Sequence, residues 1–134
     1  MLMCDDVELR GLLVFCLRRA GHDVTIACKP SDAIQEIERG RLHLLILNGM
    51  ADGSELALIE QIRTQSPVPI ILLGARGDDA DKARGLELGA NYYVTKPFSI
   101  QGLLASVRTA LRHLAPYRDQ WPGLPDSVLQ LQLR

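Results

Sequence analysis

The chain has 134 residues, 47% of them hydrophobic, and a formal charge of -1. That length and apolar content suffice for one full core with little to spare, so one compact domain is expected. The charge balance leaves no broad basic surface, which argues against direct nucleic-acid binding, and no apolar run reaches the length of a membrane span.

Taken in order, Met1-Leu2-Met3-Cys4 is a very short apolar entry that meets Asp5-Asp6, an acidic start unlike a signal peptide. Val7, Leu9, Leu12, Leu13, Cys16 and Leu17 then recur at helical spacing. Asp6 is placed to cap and Arg18-Arg19 lie near the negative end, which predicts a helix over 6–20 closed by Gly21. Residues 22–28 alternate around Val24 and Ile26 and read as a strand. Pro30-Ser31-Asp32 opens a second helix with Ala33, Ile34 and Ile37 on one side, stopped by Gly40.

Leu42 to Leu47 form an apolar run too short for an ordinary helix, and the run ends abruptly in Asn48-Gly49. It reads as a buried strand entering a tight turn. Asp52 or Ser54 caps a third helix carrying Leu56, Leu58, Ile59 and Ile62. Ile70-Ile71-Leu72-Leu73, bounded by Gly74, is a second fully buried strand, and two such runs imply helices on both faces of a sheet. A fourth helix over 78–88 ends at Gly89, Tyr92 to Thr95 form a fifth strand, and 99–114 form a fifth helix. Strand and helix alternate five times, which predicts a doubly wound, five-stranded parallel sheet of α/β class with helices on both faces, spanning 1–115.

Beyond Ala115 the pattern breaks at Pro116, Pro122, Gly123 and Pro125, so 116–134 read as a linker or tail. Within it, residues 128–133 alternate apolar and polar as a strand seeking a partner sheet, in another chain or in a domain absent from this one. Cys4, Cys16 and Cys28 are odd in number and form no CxxC pair, as befits reduced thiols in a cytoplasmic protein. His22, His43 and His113 are scattered with no metal-ligating spacing, and no cofactor is expected.

In an open parallel sheet the chemistry collects beyond the carboxyl ends of the strands, which places Asn48 at the centre of the functional question. A carboxylate there could accept a phosphoryl group or bind a metal, whereas an amide is a poor nucleophile. Asn-Gly is also a common turn dipeptide, so a turn residue is the plain alternative.

Several segments together resemble the receiver domain of bacterial two-component response regulators, most of all the subfamily linked to winged-helix DNA-binding domains. They are Asp5-Asp6 after the first strand, Gly74-Ala75-Arg76-Gly77 after the fourth, Gly85 to Ala90 ending the fourth helix, and Tyr93-Val94-Thr95-Lys96-Pro97-Phe98 at the fifth strand. The resemblance implies the flavodoxin-like receiver fold. It also implies an aspartate phosphorylated with the help of magnesium, and a hydroxyl and a lysine that contact the phosphoryl oxygens.

Carried over by position, the acceptor falls on Asn48, the acid pair on Cys4 and Asp5 with Asp6 turned to the helix cap, the hydroxyl on Gly74, the lysine on Lys96 and the aromatic switch on Tyr93. Asn48, Cys4 and Gly74 are wrong for that chemistry, so the site reads as vestigial and no metal is expected to bind. The turn after Asn48 is also shorter than the family's by about three residues. Asp52 sits a full loop past the strand, where a capping acid belongs, and deamidation of Asn48-Gly49 would still leave Cys4 and Gly74 unsuited. Lys96 would then serve to neutralise Asp5 and Asp6.

Two functions fit. One is a phosphorylation-independent receiver that dimerises through its fourth-helix, fifth-strand and fifth-helix face for transcription regulation. Lys82, Ala83, Leu86, Glu87, Tyr92 and Arg108 would line that face. The alternative is a receiver gated by a small molecule in the vestigial acidic pocket.

Overall fold

The computed structural model describes residues 1–4, 7–49, 54–74, 79–96 and 98–112. They form β1 (Leu2–Met3), α1 (Val7–Arg19), α2 (Pro30–Glu38), β2 (Leu45–Asn48), α3 (Ser54–Arg63), β3 (Ile70–Gly74), α4 (Asp79–Leu88), β4 (Tyr92–Thr95) and α5 (Ile100–Arg112). The predicted boundary near 115 and the tail lie outside the described residues.

The strands make one parallel sheet in the order β1-β2-β3-β4. The expected parallel α/β fold with flanking helices is present, and of the five expected strands four are seen among the described residues. Residues 22–28 contribute only a parallel bridge from Ile26 to Leu2, on the far side of β1. The reason is the brevity of β1. Leu2 donates its N–H to the Thr25 carbonyl and accepts from Ala27 N–H, both at 3.1 Å, and no longer ladder is built on that edge.

Alternation along the buried strands sends side chains to two apolar layers. Leu45, Leu47, Ile70 and Leu72 face Ala33 of α2, Leu58, Ile59 and Ile62 of α3, and Ala90 after α4. Ile46, Ile71 and Leu73 face Leu13 and Leu17 of α1 and Leu103 and Val107 of α5. Each fully buried Leu or Ile contributes about 1.5–3 kcal/mol relative to exposure, so both layers are needed.

Local signals fix the helix ends. The Asp32 carboxylate accepts from the Cys28 and Lys29 N–H groups at 3.0 and 3.2 Å, capping α2 behind Pro30. At the end of α1, Gly21 takes a positive φ of 95° and His22 N–H reaches back to the Leu17 carbonyl at 3.1 Å. Ser99 Oγ accepts from Gly102 N–H at 2.9 Å and starts α5. Among the described residues no helix is long and apolar enough to cross a membrane.

Candidate functional site at the carboxyl end of the sheet

The chain leaves β1 toward one side of the sheet, through α1 to the Ile26 bridge, and returns through α2 to β2 on the other. The crevice beyond β1 and β2 is therefore the topological switch point, where open α/β sheets bind ligands. Cys4 stands at the β1 side and Asn48 ends β2, both buried.

Asn48 pairs with Leu73 in the ladder, and Gly49 N–H donates to the Leu73 carbonyl at 2.7 Å. The Asn48 Oδ1 is buried with no hydrogen-bond partner. A buried acceptor left unsatisfied costs about 1–3 kcal/mol, so this amide is held at a cost to stability. The bond to Leu73 also ties down the backbone nitrogen that would have to attack the Asn48 amide during deamidation.

Gly74 ends β3, and its carbonyl accepts from Lys96 N–H at 2.7 Å, which sets the half-buried Lys96 just past β4. Tyr93, paired with Leu72 in register, turns its ring over Gly74. The phenol oxygen and Cζ lie within the space that a Cβ on Gly74 would take, and Cε2 would stand 2.9 Å from that atom. Gly74 and the Tyr93 ring are thus in direct contact. A further side chain that the pattern reading did not single out borders the turn, because a Cβ on Gly49 would lie 3.7 Å from Glu55 Oε1.

Glu55 is buried in the first turn of α3. It shares the i, i+3, i+4, i+7 stripe with Leu58, Ile59 and Ile62, and that spacing is the signal that could have found it. Asp5, Asp6 and Asp52 lie outside the described residues, so the expected pairing of Lys96 with the two acids does too.

Magnesium prefers several hard oxygen ligands in octahedral array, and thiols suit softer metals. Cys4 offers a thiol and Asn48 a neutral amide oxygen, neither of them the carboxylate that this ion prefers, while Asp5 and Asp6 lie outside the described residues. Among the described residues no three His, Cys, Asp or Glu side chains converge on a metal position.

On the proposed dimer face, Lys82, Ala83, Leu86 and Glu87 are exposed on α4 and Arg108 is exposed on α5. Tyr92 is half-buried on the edge strand β4 and packs against the α1/α5 layer. The positive charge of Arg108 helps to hold the His22 pKa below its ordinary value.

Residues 1–108 match the response regulator receiver domain family. The sensory transduction protein RegX3 of Mycolicibacterium smegmatis is 39% identical over 127 residues, covering 94% of this chain and 55% of that protein. RegX3 of Mycobacterium tuberculosis is 37% identical over the same length. The chain thus spans about half the length of these curated relatives. Among solved structures, a putative response regulator from Chloroflexus aurantiacus is 32% identical with a TM-score of 0.74, covering 83% of this chain and 95% of that one. A receiver domain of a Francisella response regulator is 27% identical with a TM-score of 0.73, covering 84% and 94%. Parallel sheet, switch-point crevice and sequence matches agree, and the chain belongs to the response regulator receiver domain family of two-component signalling.

Proposed function

We propose that this chain is an atypical receiver that signals without being phosphorylated, acting as a dimerisation module in a transcription regulator whose DNA-binding domain lies outside it. The observation that carries this reading is Asn48. At the end of β2 stands a buried amide, whose oxygen is too weak a nucleophile to take a phosphoryl group. The neighbours agree with it, since Cys4 gives no hard oxygen and Gly74 no hydroxyl. The longer relatives, named as sensory transduction proteins, support a regulatory setting, and the motifs in this sequence resemble most the winged-helix-linked subfamily.

The reading in which a small molecule gates the pocket has less support, because the Tyr93 phenol already takes up space beside Gly74. Freshly purified protein incubated with acetyl phosphate and magnesium tests the proposal by intact mass. The expected spectrum is unchanged. A gain of one phosphoryl group that hydroxylamine removes would overturn the reading, since that lability marks an acyl phosphate.

A further inference from the structure

Gly74 closes β3 in a conformation open to any L-residue, because the described glycines with positive φ are Gly21, Gly40 and Gly89. Backbone freedom is therefore not what this position uses. A glycine in a strand without such a need marks a place where another group approaches closely. Here that group is the Tyr93 ring, whose phenol oxygen and Cζ fill the volume of the absent side chain.

Packing holds the ring, and backbone pairing holds the strand that carries it. The Tyr93 backbone pairs with Leu72 on β3, the ring packs against the layer that contains Leu72 and Ala90, and the Lys96 N–H bond to the Gly74 carbonyl closes the end of the ladder. We propose that Gly74 and Tyr93 form a steric lock that keeps the ring turned in toward the crevice and fixes the β3–β4 end of the sheet in one conformation. Any side chain at 74 and the inward ring compete for the same volume. With glycine there, no ligand is needed to make room. The outer surface of β4, which adjoins α4 and α5, then has the ring removed from it at all times.

The lock goes beyond the absence of phosphorylation and does not depend on it, so its test uses no phosphodonor. The protein is labelled with 3-fluorotyrosine, and its three tyrosines are followed by fluorine NMR, with Tyr93→Phe assigning the resonance of interest. In the wild type the Tyr93 fluorine should show a small solvent isotope shift between H2O and D2O. In Gly74→Ala that shift should rise to the value of an unfolded tyrosine while Tyr92 changes little. Exchange of the Lys96 amide should accelerate by about tenfold or more as its local opening becomes easier. An unmoved Tyr93 resonance in folded Gly74→Ala overturns the lock. If Gly74→Ala does not fold, the double variant Gly74→Ala/Tyr93→Leu must recover the fold, since it removes the competing ring. A double variant that also fails to fold overturns the proposal as well, because Gly74 would then be needed for a reason unrelated to Tyr93.

Discussion

At His22, burial and the charge of Arg108 both disfavour the imidazolium, burial more strongly, so the folded-state pKa lies below the ordinary value of 6.5. Its Nδ1 is buried without a hydrogen-bond partner, so no acceptor there stabilises the protonated ring. Above pH 6.5 the ring is neutral in both folded and unfolded chains, and stability is at its full value. As the pH falls below 6.5 the unfolded chain takes up the proton first, and stability declines until the folded-state pKa is passed. The thermal midpoint should therefore drop between pH 7.5 and 5.5, and His22→Gln should flatten part of that slope. Equal slopes in the two proteins would show that His22 is not the group responsible. The sequence marked His22 only as isolated from the other histidines, since neither the closure of the loop after α1 nor the position of Arg108 on α5 has a local signature.

Between elements, a single side chain ties α3 to the far end of the sheet. Arg63, the last residue of α3, donates from Nε to the Gly89 carbonyl at 2.9 Å, from Nη1 to the Ser66 carbonyl at 3.0 Å and from Nη2 to Asn91 Oδ1 at 2.9 Å. Asn91 Oδ1 also accepts from Ile70 N–H at 2.8 Å, so the fork joins the ends of α3 and α4 to the start of β3. Arg63→Ala should destabilise by about 1.5–3 kcal/mol in urea unfolding, the usual range for hydrogen bonds to a charged group. Arg63→Lys should recover less than half, because an ammonium cannot reproduce three donors in a planar fork. Full recovery by lysine would mean that charge alone matters there. The elements themselves were largely legible. Continuous apolar runs at 44–47 and 70–73 announced strands buried on both faces, and Gly21, Gly40 and Gly89 announced helix ends that the positive φ values explain. Residues 22–28 misled because alternation shows that a segment could pair, while the two-residue β1 leaves it only one bridge to form. In the same way Asn48 and Gly74 could be placed by their order in the chain, but the ring seated over Gly74 depends on a side-chain rotation set by packing.

For the whole molecule, the proposed dimer has two candidate surfaces. The α4–β4–α5 face offers exposed Leu86, exposed Ala83, the edge of Tyr92, and charges on Lys82, Glu87 and Arg108. Ion pairs at such a rim are worth about 0–1 kcal/mol each, so the apolar centre must supply most of the affinity. One feature weakens the ring of charge: Gly102 and Ser106 stand on α5 where charged partners would be useful. A dimer on this face should therefore be apolar in character and little affected by salt. Tyr92 also packs against the α1/α5 apolar layer, so Tyr92→Asp would disturb the core together with the surface, and Leu86→Glu is the cleaner probe. The competing surface is on α1, where Val7, Leu12 and Phe15 are 67%, 48% and 61% exposed. Phe15→Glu therefore serves as the control. Sedimentation at tens of micromolar should give a dimer for the wild type and for Phe15→Glu, and a monomer for Leu86→Glu. The reverse pattern would move the interface to α1, and a wild-type monomer would remove self-association on either face from the account of how this receiver works.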